Sequence, residues 1–257
     1  MSRSVLDADL FINVPKMKTH KKTGVTLSLK NLVGINADKN YLPHYSLGAP
    51  VEGGDEFPES GLGRRADAMA SRMFKRIVTK SGGAAPIWGP LVRRAGVATF
   101  GPSSRVVRSG NWWGNDTIWR MCVDLSRILF WYDGDGCRRT SPKPYLSIVD
   151  GIVAAEGDGP VSCDAVPLGM IIAGNDPVAV DLVTTRVMGF DVSKIPLLRE
   201  AIRAEAGLSS LSDLDDLVVA TPRGPRAFED LDTVYPFRPH FGWDGHIQLE
   251  EPRSVSI

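Results

Sequence analysis

The chain has 257 residues, equal numbers of basic and acidic side chains, 43% hydrophobic and 23% charged residues, the balance of an ordinary globular protein, which excludes disordered, collagen-like and coiled-coil architectures. No apolar run approaches the roughly 20 residues that cross a bilayer, and the N-terminus lacks a basic region followed by an apolar one. Three scattered cysteines, Cys122, Cys137 and Cys163, form no CxxC pair, so no zinc ribbon or iron-sulfur cluster finds a ligand set among them, and their sparse, odd count fits a reducing, cytoplasmic compartment.

In chain order, Asp9 to Val14 (DLFINV) reads as a short strand, and its position almost at Met1 admits an N-terminal portion lying ahead of it. The following VPKMKTH continues as extended chain. Thr23 to Leu32 is either a strand, by its Val/Thr/Leu content, or a helix with Val25, Leu29 and Leu32 on one face; the helix is favoured. Asn36 to Ser60, rich in Gly, Pro and polar residues, reads as a long loop. Leu62 to Lys80 is an amphipathic helix with Leu62, Ala66, Met69, Ala70, Met73, Phe74, Ile77 and Val78 on one face and Arg64, Arg65, Arg72, Lys75 and Arg76 on the other. An apolar, Gly/Pro-punctuated segment follows to Pro102. Asn115 or Asp116 then caps a helix whose stripe is Ile118, Met121, Cys122, Leu125, Leu129 and Tyr132, closed by the turn at Asp133-Gly-Asp-Gly.

From Tyr145 the pattern alternates between strand and helix. Leu146 to Val153 is a strand, Glu156 to Pro160 (EGDGP) a tight loop, and Pro167 to Ala173 a buried strand. A helix capped by Asn175 or Asp176, with Pro177 in its first turn, ends at Gly189. Lys194 to Ala206 reads as a helix closed by Gly207, Leu217 to Ala220 as a last strand, and FRPHFGWDGH as an irregular tail.

The neutral total hides a segregation. Gly61 to Gly110 holds ten Lys/Arg against one acid, Asp67, while Pro144 to Asp191 is mostly acidic. Within the first motif, strand periodicity sets Lys16, Lys18 and His20 on one face, two residues apart, with Pro15 and Met17 on the other. Three cations sharing a face call for an anion among them, whether a phosphate, a carboxylate substrate or the protein's own acids; the plainer alternative is a solvated basic edge strand. Lys30 and Asn31 back this set, while Lys21 and Lys22 read as solvated. Lys16 and Asn31 are candidate substrate-binding groups, Lys18 and Lys30 would stabilise charge, and His20 would be general acid or base.

Asp150, Glu156 and Asp158 form a second set, at a strand end and in a Gly-rich loop, suited to a divalent cation such as Mg²⁺ or to orienting the lysines; an acidic surface turn accounts for them equally well. Asp176 is foremost a helix cap, although the free N–H groups of that helix start also suit an anion, which adds Asp176 to the substrate-binding candidates. The basic helix 62–80 either packs its apolar face on the core or meets an anionic membrane surface or a protein partner. Nucleic acid is not expected, since no aromatics interleave with the basic residues. His44, His240 and His246 are too scattered to argue a zinc site.

VPKMKTHKKTGVTLSLKNLVG, VDGIVAAEGDGP and AGNDPVAVDLVTTRVMGF, in that order, resemble the bacterial and archaeal family named "domain of unknown function 362", over roughly Asp7 to Leu208. That family usually has a further α/β portion ahead of the PKxKTH-like strand, so the resemblance implies that this chain corresponds to its C-terminal part or to a shortened version. Some of its members carry ferredoxin-like cysteine clusters, which these cysteines do not reproduce.

The fold expected is a single α/β domain over 1–257, with a mixed, largely parallel sheet flanked by helices and a basic helical insertion near 60–135. The function expected is action on an anionic, phosphorylated or carboxylated, small molecule. The alternative is a non-catalytic or electron-transfer accessory module docked to an iron-sulfur or membrane-associated partner.

Overall fold

The computed structural model describes residues 1–80, 106–203, 207–211 and 213–250. The apolar segment expected to run to Pro102 lies almost wholly outside these residues, as does the end of the helix expected to reach Ala206. In chain order the elements are α1 (Arg3–Asp7), β1 (Phe11–Asn13), β2 (Lys16–His20), β3 (Gly24–Thr26), α2 (Ser28–Asn31), α3 (Leu62–Lys80), α4 (Ile118–Trp131), β4 (Tyr145–Asp158), β5 (Ser162–Val166), β6 (Met170–Gly174), α5 (Pro177–Val187), α6 (Pro196–Ala201), β7 (Val218–Thr221) and β8 (Gly224–Ala227). This is an α/β fold, a mixed sheet flanked by helices.

The sheet is organised on β4, a strand of 14 residues. Along one edge β1 and then β2 run parallel to it, with Phe11 opposite Tyr145, Lys16 opposite Asp150 and Lys18 opposite Ala155. Along the other edge β6 and then β5 run antiparallel, and β3 folds back antiparallel on β2. Two steps along β2 match five along β4 between Lys16 and Lys18, so β4 bulges there and the sheet bends.

Two expectations change here. EGDGP is no independent loop, because Glu156 to Asp158 are the last residues of β4 and pair with β5. Alternation of β-branched residues ended the expected strand too early, since Ala and Gly carry no strand signal but pair when a partner is present. Likewise β6 is not a buried strand, for its exposure alternates and Ile171 is 59% exposed. Thr23 to Leu32 divides, giving β3 and then the single helical turn α2.

The helices lie over one face of β4. Helix α5 packs on β4 and β6, α2 sits against α5, and α4 bridges α2 and α6. Between them lies a core that includes Met17, Leu27, Leu29, Val149, Leu182, Phe190, Ile195 and Trp243. Asp176 caps α5 by accepting N–H bonds from Val178 and Ala179, with Pro177 opening the helix, as its Asp-Pro start predicts.

The stripe expected of α4 is buried at Ile118, Met121, Cys122, Leu125 and Leu129. Asn115 accepts from the N–H groups of Thr117 and Ile118 at the helix start. Asp55, from the distant 36–60 loop, adds a second cap, accepting from Asp116 N–H at 2.8 Å and Thr117 N–H at 2.7 Å. That loop is therefore stitched to the helix it precedes by some sixty positions, a partnership no local pattern encodes.

Among the described side chains of α3, the apolar stripe is largely open and not packed on the core, which is the second of the two arrangements the sequence allows. The arginines of the helix turn toward the loop, Arg65 to Glu52 and Arg72 to the buried Glu56, while Leu62, Met69 and Met73 are exposed.

Candidate functional site

The first motif builds its site at the C-terminal end of β2. Thr19 on that strand donates to the carbonyl of Gly157, and Lys21 N–H donates to the carbonyl of Gly159, which fastens the β2 end to the β4–β5 turn. The approach is so close that a Cβ at Gly159 would lie 2.0 Å from the Thr19 carbonyl oxygen, so only glycine fits.

His20 ends β2 and is buried. Its Nδ1 accepts the backbone N–H groups of Lys22 at 3.1 Å and Thr23 at 3.3 Å, which leaves the ring proton on Nε2. Burial, then the charges of Lys30, Lys21, Lys22 and Lys18, hold the imidazole well below its usual range. The ring is thus a neutral hydrogen-bond donor in a positive field, a different role from the proton transfer near neutrality that its residue type suggests.

Four lysines of the motif therefore act on His20 through their charge, including two that read as solvated. Lys21 is exposed, but the Lys22 ammonium bonds the Ser109 carbonyl at 2.5 Å and lies 4.4 Å from the centre of the Tyr45 ring. Lys30 is buried. Lys18 is half-buried, with Nζ 3.4 Å from the Pro160 carbonyl.

The remaining candidates go elsewhere. Lys16 pairs with Asp150 at 2.5 Å, directly across from it in register. That ion pair holds the Asp150 carboxyl below its usual range, chiefly through the hydrogen bond from Lys16. Asn31 donates to the Asn13 side chain at 2.7 Å, in a network where Asn13 donates to Tyr145 and to the Ser28 carbonyl and Ser28 meets Ser147 at 2.6 Å. Asp176 lies just beyond Gly174, which is opposite Ser147, far along β4 from Ala155, the partner of Lys18. Its free oxygen accepts from Ser209.

Nor do Asp150, Glu156 and Asp158 converge. Asp150 is taken up by Lys16, its partner in register. Glu156 accepts from Arg238 N–H at 2.8 Å, and Asp158 lies 3.9 Å from His240 Nε2. Among the described residues no three His, Cys, Asp or Glu side chains gather as a metal-holding group.

Several residues at the site were not legible as such in the sequence. The tail expected to be irregular closes the β4–β5 turn: Gly157 N–H donates to the Arg238 carbonyl at 2.8 Å, Arg238 pairs with Asp164 and Glu156, and Trp243 Nε1 donates to the Lys21 carbonyl at 2.9 Å. His240 is buried, and its imidazole is pushed down to about 4, first by desolvation. Five aromatic or imidazole side chains within FRPHFGWDGH were the available signal.

With this geometry in place, comparison with known proteins locates the chain. The family model described as "Domain of unknown function (DUF362)" matches residues 1–186. The chain belongs to that family. Among curated proteins it is 23% identical, over 244 residues, to the thylakoid-associated protein sll1697 of Synechocystis sp., covering 92% of this chain and 52% of that protein. The chain thus spans about half the length of this relative. No solved structure matches. The DUF362 match contains β1 to β6, the PKMKTH strand and the EGDGP turn, whereas Arg238, His240 and Trp243 lie outside it. Among the described residues no helix is long and apolar enough to cross a membrane.

Proposed function

We propose that this DUF362 protein binds an anionic small molecule, phosphorylated or carboxylated, at the end of β2, and that it is a cytoplasmic enzyme or ligand-binding domain for that molecule. The observation that carries the reading is the charge of Lys18, Lys21, Lys22 and Lys30 acting on His20, whose Nε2 keeps its proton. A phosphate or carboxylate offsets the mutual repulsion of these cations and accepts the Nε2–H bond. Lys18 and Lys21 supply charge at the surface, and the buried Lys30 strengthens the field from behind. Lys16, neutralised by Asp150, contributes little. In this reading the chain corresponds to the C-terminal part of a longer family architecture.

The test is thermal unfolding of the full chain with inorganic phosphate, citrate and a panel of sugar phosphates. A ligand of this site raises the melting temperature in proportion to the logarithm of its concentration. Lys18→Met and His20→Gln should abolish that rise. A panel that shifts nothing, or shifts the variants as much as the parent, would sink the proposal.

A second reading, an accessory module docked to a membrane-associated or iron-sulfur partner, is favoured by one observation: α3 exposes Leu62, Met69 and Met73 while its arginines face the loop. The relative is described as thylakoid-associated. Sedimentation with vesicles of mixed neutral and anionic lipid, comparing the parent with Met69→Glu/Met73→Glu, separates the two. Vesicle binding lost in the double variant supports the module.

A further inference from the structure

Thr26 of β3 lies directly opposite Lys18 in the antiparallel pair with β2. Directly opposed residues share a face of the sheet, so Thr26 stands beside Lys18 on the face that also bears His20, while Met17 and Val25 turn into the core. Thr26 is 9% exposed, and its Oγ1 is shut off from solvent with no hydrogen-bond partner. A buried hydroxyl left unmet destabilises a fold, and valine would fill the same space in a strand without that cost. Packing therefore does not account for this oxygen. An unmet donor beside a lysine suits an anion.

We infer that the ligand of this site is a phosphate monoester and that the Thr26 hydroxyl helps to hold it, an inference that rests on the anion-binding reading of the motif. Three donors stand at adjoining positions: the Lys18 ammonium, His20 Nε2–H two residues along β2, and the Thr26 hydroxyl across from Lys18. Their backbones are about 7 Å apart along the strand and about 5 Å across it, so the donors form a triangle rather than a line. A phosphate monoester presents three terminal oxygens and close to two negative charges near neutral pH. Each donor then has its own acceptor, and the charge of Lys21 and Lys30 is offset as well. A carboxylate has two oxygens and one charge, and leaves a donor unmet. The bond from Lys18 Nζ to the Pro160 carbonyl is 3.4 Å long, weak enough for the ammonium to turn onto an anion, and that movement gives the ligand its way to Thr26.

The experiment is isothermal titration calorimetry of the full chain, near neutral pH and at constant ionic strength, with glycerol 3-phosphate and with malonate, a dicarboxylate of similar charge. The monoester should bind the parent about tenfold or more tightly than malonate. Thr26→Val should lose roughly that factor for the monoester, keep its malonate affinity, and melt without ligand at or above the parent's temperature, because the unmet hydroxyl is gone. Thr26→Ser, which keeps a hydroxyl, should bind the monoester like the parent. A hydroxyl met by a structural water gives the opposite pattern, a lower melting temperature with monoester binding intact, and overturns the inference. Malonate binding as tightly as the monoester, in a parent whose response is lost in Lys18→Met, overturns it too, while leaving the anion site itself standing. If neither anion binds the parent, both readings fall. Should Thr26→Val fail to fold, as read by circular dichroism, the parent's preference for the monoester over malonate still decides.

Discussion

Asp181, within α5, accepts the backbone N–H of Ser28 at 2.7 Å with one oxygen while its other oxygen accepts that of Leu29 at 2.9 Å. A carboxylate from one helix thus caps the single turn α2 that carries Lys30 and Asn31, and it does so in the core, where Asp181 is 1% exposed. Desolvation raises its carboxyl to about 7 against these two hydrogen bonds, which lower it.

A folded value above the unfolded one means that the folded state holds the proton more tightly. The associated stabilisation is full below about pH 4 and is lost as pH rises toward 7. Relative to Asp181→Asn, whose side chain does not titrate, the parent should lose stability between these limits, by up to about 1.4 kcal/mol per pH unit. Urea unfolding of both proteins at several pH values checks this. Parallel curves would contradict it.

His240 works in the opposite direction. Its value of about 4 lies below that of an ordinary histidine, so the stability it carries is present above about pH 6.5 and fades as pH falls toward 4. Replacing it with Gln should flatten the acid limb, recovering on the order of 3 kcal/mol of pH-dependent loss by pH 4. Chemical-denaturation midpoints of His240→Gln and the parent, compared at pH 7 and pH 4, test it.

Asp55 accepts from Ser46 N–H as well as from the N–H groups of Asp116 and Thr117 at the start of α4, the latter shared with Asn115. Asp55→Ala should cost roughly 2 kcal/mol, the loss of a cap plus unmet donors. Asp55→Asn should cost less, since one amide oxygen remains. Equal losses in the two variants, measured by urea unfolding, would show that the cap is not the cause.

At Gly159, where Thr19 leaves no space for a Cβ, alanine must push β2 away from the β4–β5 turn. We expect Gly159→Ala to lose about 2 kcal/mol or more and to weaken phosphate-induced stabilisation. A parent-like melting temperature and ligand response would show that the turn yields freely.

How much of this was legible follows from the range of each interaction. Asp176 and Pro177 announced the start of α5 because a cap is encoded within a few residues. The stripe of α4 was readable for the same reason. The period of β2 correctly set Lys16 and Lys18 on one face, yet which acid each would meet depended on register with a strand more than a hundred residues away. Asp181 gave a quiet signal, an acid flanked by Val180, Leu182 and Val183, that identifies a buried carboxylate without naming its partner. The pairing of Arg65 and Arg72 with Glu52 and Glu56 was hidden because those acids sit in a loop whose path no periodicity describes.

The tail that closes the β4–β5 turn also bears on where this molecule can be cut. The family model ends at residue 186, inside the helix Pro177–Val187, while Phe190, Ile195, Leu197, Leu198, Trp243 and Ile247 belong to the same continuous core as Met17 and Val149. A polypeptide trimmed there would expose that core and lose the arginine, histidine and tryptophan that floor the lysine cluster. The stretch that the family model describes is therefore shorter than the stretch that must fold together, and biochemistry on the trimmed piece would report on a different object.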